Sequence, residues 1–183
     1  MKRPGLAKRL RQFRSHGIDR DVHRRQAEGS WFYEMVELGY NYRLPDLACA
    51  LGLSQVPRLD ANLARRRDIA ARYQTGLATV PGLRLPTVRS DVAHAWHLYP
   101  VQVEQAIDRG EVFRALRAEG LGVNVHYVPV HLHPYYRHQF DYRGGECPVA
   151  EHAYERLISL PMFRGMSGRD VEDVLDAGEK VMH

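Results

Sequence analysis

The chain has 183 residues, 44% of them hydrophobic, which excludes a disordered tail and allows one domain with a real core or one domain plus part of another. Its formal net charge of +4, from 26 Lys+Arg against 22 Asp+Glu, is mild. No apolar run approaches the ~20 residues of a membrane span, and the opening MKRPGLAKRL leads into no apolar signal segment, so cytoplasm is the expected location.

In chain order, residues 5–14 are predicted to form a short amphipathic helix with Leu6, Leu10 and Phe13 on one face, stopped at Gly17. Residues 18–40 have no clear period but carry Trp31, Phe32, Tyr33, Met35 and Tyr40, a cluster expected to pack or to contact something. A helix is expected from Pro45, with Leu47, Ala48, Leu51 and Gln55 at helical spacing, until Pro57 interrupts it. A longer helix over 59–77 has the stripe Leu59, Leu63, Ala70, Tyr73 and Leu77; Arg66 intrudes on it and is expected to run along the surface with its head in water.

Beyond the Pro81-Gly82 loop, residues 96–103 read as a strand, and Pro100 predicts an edge position. Asp108 and Glu111 cap a helix carrying Val112, Phe113 and Leu116 and ended by Gly120. Residues 121–128 alternate most cleanly and predict a strand. Pro148 opens a helix with Val149, Ala153, Tyr154 and Leu157 inward, and Ser167 with Asp170 makes a capping box for a last helix lined by Val171, Val174, Leu175 and Val181. This order implies a small α+β domain with helices on a short sheet.

Two segments could carry chemistry. Residues 39–52, GYNYRLPDLACALG, place Asn41 and Arg43 just before a helix, where backbone N–H groups suit an anion. Residues 124–136, NVHYVPVHLHPYY, gather histidines and tyrosines after a predicted strand. A metal reading would use His131, His133 and His138 with His94 or His97, but the spacing matches no familiar zinc pattern and no carboxylate or cysteine is interleaved. A hydrogen-bonding pocket for a polar ligand fits better, and no metal is expected. Cys49 and Cys147 are expected as small buried or capping side chains. The basic clusters Arg24-Arg25 and Arg65-Arg66-Arg67 lie near acidic residues, so they read as solvated helix faces and no nucleic-acid partner is expected.

FRSHGI at 13–18, ELGYNYRLPDLACALGLSQ at 37–55, RRRDIAARY at 65–73, VNVHYVPVHLHPYYR at 123–137 and ISLPMF at 158–163 together resemble the DegT/DnrJ/EryC1/StrS family of sugar aminotransferases. The VHYVPVH segment leans toward members that aminate C4 of a UDP-linked 4-keto-6-deoxy-N-acetylhexosamine, as in the pseudaminic acid pathway, forming UDP-4-amino-4,6-dideoxy-N-acetyl-altrosamine. The resemblance implies an α/β fold, the C-terminal portion of a fold-type I transferase dependent on pyridoxal 5'-phosphate (PLP), with helices packed on a short, mostly antiparallel sheet. Residues 1–57 would be the remnant of the large PLP-binding domain and its interface loop, and 58–183 the small C-terminal domain. The enzyme would act as a homodimer, moving an amino group from glutamate to a nucleotide-linked keto sugar.

By the same resemblance, Asn41 reaches the cofactor phosphate of the other subunit and Arg43 sits beside it, while His126, Tyr127 and His131 line the sugar end of the site. The family's Schiff-base lysine lies upstream of the FRSHGI motif, and none of Lys2, Lys8 and Lys180 has the buried setting that activates an amine. The chain is therefore expected to be a fragment, inactive alone, exposing apolar surface and self-associating. The alternative is a non-catalytic module that binds a nucleotide sugar or completes a partner subunit's site.

Overall fold

The computed structural model describes residues 3–19, 31 and 33–183, in two compact units, Met1–Pro57 and Arg58–His183. In the first unit, α1 (Pro4–Phe13) starts on a proline, whose missing N–H costs nothing in a first turn. Leu6, Leu10 and Phe13 share a face as predicted, but all three remain exposed. Beyond α1 the chain turns at Gly17, which has φ +65°. A Cβ there would stand 1.6 Å from the Glu37 carbonyl oxygen, and one on Gly39 would stand 2.0 Å from the Gly17 nitrogen, so two glycines let the backbones cross.

The aperiodic stretch contains a small ladder that the sequence did not predict. β1 (Ile18–Asp19) pairs antiparallel with β2 (Glu34–Met35) in the register Ile18 opposite Met35. Trp31, Tyr33, Met35 and Tyr40 are exposed, and Phe32 lies outside the described residues. Helix α2 (Asp46–Gln55) follows, with Pro45 at its N-cap rather than in its first turn. A 3-10 turn at Val56–Arg58 interrupts it at Pro57, as expected.

The second unit holds the core. Its sheet has the order β3-β4-β5, all antiparallel, from β3 (Leu83–Arg84), β4 (Tyr99–Val103) and β5 (Leu157–Leu160). Tyr99, Val101 and Val103 alternate into the core with Ile158 and Leu160. Packed with them are Ile69, Ala70 and Tyr73 of α3 (Leu59–Gly76), Val112 and Leu116 of α4 (Arg109–Ala118), and Val171, Val174 and Ala177 of α7 (Gly168–Met182). The other sheet face, carrying Pro100 and Gln102, borders a cleft lined also by Val149 and His152 of α6 (Pro148–Arg156).

The predicted caps are present. Asp108 Oδ1 accepts from the Gly110 and Glu111 N–H groups, and Ser167 and Asp170 form both bonds of a capping box. Several expectations need correction. Leu59, at the start of the α3 stripe, is exposed, while Ile69, outside the predicted stripe, is fully buried. Val149 points to solvent rather than inward, because α6 leaves the open cleft against the sheet.

Pro100 sits on the central strand rather than an edge. The pairing explains how this is tolerated. Ser159 spends its N–H and C=O on Asn124, so at the Pro100–Ser159 pair the proline nitrogen faces away from β5. On that other side β3 covers only Gln102 and Val103, and no ladder bond is lost.

Residues 121–128 do not form a strand. Their pairing stops at a single bridge, Asn124 with Ser159, since the Asn124 side chain takes the next donor, the Val125 N–H, at 2.8 Å. Two short elements were not predicted, a 3-10 turn at Val130–Leu132 and helix α5 (Pro134–Phe140). No helix among the described residues is long and apolar enough to cross a membrane.

Candidate functional site

Asn41 and Arg43 lie on the extended stretch that leads into α2. That stretch is pinned to the end of α1 by three backbone bonds: His16 N–H to Tyr40 O, Tyr40 N–H to Phe13 O, and Tyr42 N–H to Arg14 O. Tyr40 and Tyr42 stack at 5.2 Å, with Phe13 edge-on to both. Asn41 Oδ1 accepts from Arg43 Nε at 3.1 Å, and both side chains are exposed. With one lone pair of its oxygen engaged, Asn41 keeps both amide N–H groups as donors, and Arg43 keeps its terminal nitrogens. The pair presents several N–H donors and one cationic group, which suits a phosphate.

The other predicted site residues lie in the second unit. Val125 N–H fixes Asn124 by its oxygen, so the Asn124 amide nitrogen faces His126 Nε2 at 3.3 Å and donates to it. His126 Nδ1 is buried without a partner among the described residues. Tyr127, packed edge-on against the His126 ring, is exposed. His131 stands apart from this pair: its Nε2 meets Glu151 Oε1 at 2.7 Å, with the two side chains only 11% and 18% exposed.

Glu151 was not anticipated from the sequence. Its carboxylate also accepts from the Gly145 and Cys147 N–H groups, while the neighbouring Glu146 accepts from those of Arg143 and Gly144. These bonds hold both carboxyls below the ordinary glutamate range, chiefly through the Cys147 N–H at Glu151 and the Arg143 N–H at Glu146. His131, Glu146 and Glu151 bring ligand-type atoms within 4.8 Å of one another, so carboxylates are present after all where the histidine-only metal reading had none. His133 and His138 do not join this group, and His94 Nδ1 instead accepts from the Trp96 N–H. The carboxylate oxygens already face four backbone N–H dipoles, which makes the group a hydrogen-bonded clasp and a poor cation cradle.

Lys8 pairs with Asp19 at 3.3 Å and Lys180 with Glu119 at 2.7 Å, and both lysines are mostly exposed. Lys2 lies outside the described residues. Within the Arg65–Arg67 cluster, Arg65 pairs with Asp68 and donates to the Met166 carbonyl, and Arg66 turns inward to three backbone carbonyls. Arg24-Arg25 lie outside the described residues. Cys147 is exposed at the N-cap of α6, not buried, and contributes its N–H.

This α/β architecture is that of sugar aminotransferases. DesV from S. venezuelae superposes with a TM-score of 0.76 at 32% identity over 97% of this chain and 44% of its own. The putative sugar aminotransferase Spr1654 from Streptococcus pneumoniae also gives 0.76, at 28% identity over 100% of this chain and 46% of its own. The chain belongs to the DegT/DnrJ/EryC1/StrS aminotransferase family, whose model matches residues 1–178. Among curated relatives, the spore coat polysaccharide biosynthesis protein SpsC of Bacillus subtilis is 44% identical over 94% of this chain. The chain spans about half the length of the curated relatives it matches, 46% and 47%.

Proposed function

We propose that these residues serve a PLP-dependent transfer of an amino group from glutamate to a nucleotide-linked keto-deoxy sugar, at C4 of a UDP-4-keto-6-deoxy-N-acetylhexosamine. Residues 1–57 would belong with the large cofactor-binding domain and 58–183 would be the small domain. The observation that carries the reading is the Asn41–Arg43 pair, an exposed donor-rich set on a stretch whose backbone is pinned to the end of α1.

Asn41 and Arg43 would hold the cofactor phosphate of the opposite subunit in a homodimer. When bound, PLP supplies the electron sink that lets the amino group change carriers. His126, Tyr127 and His131 would contact the sugar, with the exposed Tyr127 offering its hydroxyl to the sugar oxygens. Leu44, Leu47, Leu51, Leu53 and Val56, all exposed, give the first unit an apolar surface that a partner subunit or the rest of the large domain would cover.

Lys8 and Lys180 are solvated and ion-paired, the opposite of the desolvated setting that lowers an amine's proton affinity, so neither would anchor the cofactor and this chain would not transaminate alone. The test is incubation of the purified chain with PLP, reduction with borohydride and mass mapping. No adduct on a specific lysine supports the reading. A stoichiometric adduct on Lys8 or Lys180 would overturn it.

A further inference from the structure

His131 and Glu151 are 20 residues apart and meet at 2.7 Å, both largely withdrawn from solvent. An ionised carboxylate only accepts, so His131 Nε2 carries the proton of this bond and Nδ1 is the nitrogen left for other partners. What fixes Glu151 is the loop before α6. Gly144 and Gly145 adopt φ +98° and +94°, a left-handed pair that curls the backbone. Gly145 N–H then reaches both carboxylate oxygens, at 2.9 and 2.8 Å, and Cys147 N–H reaches Oε1 at 3.1 Å. Glu146 closes the same loop through the Arg143 and Gly144 N–H groups, at 2.7 and 2.9 Å. The order of support runs from loop to Glu151 to His131.

We propose that Glu151 is a positioning residue for His131, fixing its ring by Nε2 so that Nδ1 addresses a hydroxyl or amino group of the sugar. This rests on the substrate reading above for the identity of the ligand, but not for the pairing. A side chain that merely filled space would need neither the half-buried charge nor the nest of N–H donors around it.

The test uses the 183-residue chain labelled with 15N, comparing wild type, Glu151→Gln and His131→Gln. In wild type, a protected His131 Nε2–H resonance and protected Gly145 and Cys147 amides are expected. Glu151→Gln is expected to abolish the imidazole resonance and to speed exchange of both amides about tenfold, the loss of roughly one charge-assisted bond. His131→Gln is expected to leave those two amides protected, and this arm decides the matter if the Glu151 variant fails to fold.

An imidazole resonance that survives Glu151→Gln, or a loop released by His131→Gln, would overturn the proposal. UDP-N-acetylglucosamine titrated into wild type separates the two readings. If it moves neither Tyr127 nor His131, the substrate assignment fails while the pairing is judged on exchange alone.

Discussion

Arg66 and Trp96 are joined by a bond that runs from a helix side chain to a loop backbone: Arg66 Nη1 donates to the Trp96 carbonyl at 2.8 Å. The same nitrogen lies 3.2 and 3.3 Å from the carbonyls of His97 and Met162. Trp96 has φ +50°, a left-handed conformation that costs a bulky residue roughly 1–2 kcal/mol and needs support. Its ring gains part of that support by stacking on Tyr99 at 5.3 Å.

Replacing Arg66 by Met should therefore leave three carbonyls without their shared donor and destabilise the second unit by about 3 kcal/mol. Arg66→Lys should recover part of the loss. Urea unfolding followed by tryptophan fluorescence measures both, and an unchanged midpoint for Arg66→Met would refute the assignment.

Alkaline pH should strain the same core. Burial, which disfavours a phenolate, pushes Tyr99 up to about 12 and Tyr73 higher still. Both folded values exceed the unfolded value of 10.0, so this contribution is complete below pH 10 and declines as pH rises toward and through 12. Absorbance titration of tyrosinate should find two of the ten tyrosines ionising late, together with unfolding. Tyr73→Phe should remove one of them and cost about 1–2 kcal/mol by orphaning the Pro161 carbonyl, which now accepts from Tyr73 at 2.8 Å.

Acid acts on different places. Asp170, Glu146 and Glu151 are all held below their ordinary values by N–H donors, Asp170 chiefly by that of Ser167. Their contribution is present at neutral pH and is lost as pH falls through the folded values. Amide exchange at Gly144, Gly145 and Ser167 should accelerate below the usual carboxylate range while β4 stays protected. Ser167→Ala should reproduce part of this at neutral pH, costing about 1 kcal/mol in denaturant melts.

Gly17→Ala should damage the first unit and spare the second. The new Cβ would overlap the Glu37 carbonyl, and φ +65° disfavours any side chain. A local cost of about 3 kcal/mol is expected, enough to release the His16 and Tyr40 amides in hydrogen exchange and to free Asn41 and Arg43. Protection of Val101 and Ile158 should not change.

Local signals in the sequence located α1, α2, α3, α4, α6 and α7, because helix spacing, prolines and caps act within a few residues. Strands were harder. Residues 121–128 alternate perfectly yet pair once, whereas LISL in β5 hardly alternates and pairs along its whole length. What decided between them was available partners, which no single segment encodes.

The same division holds at the candidate site. Asn41 and Arg43 are two residues apart and visible as a motif; their contact is local. Glu151 reaches His131 only because α6 brings it back, and Arg66, which looked like an intrusion on an apolar stripe, is satisfied by carbonyls 30 to 96 residues away.

Pro100 has one more consequence. On the flank of β4 that β3 leaves uncovered, the proline offers a carbonyl and no donor, just where an incoming peptide would seek its next rung. A foreign strand could not lengthen the sheet there without forfeiting a bond. That flank is thus blocked by composition rather than by a covering helix, which makes it a poor starting point for the edge-to-edge polymerisation that short antiparallel sheets otherwise invite.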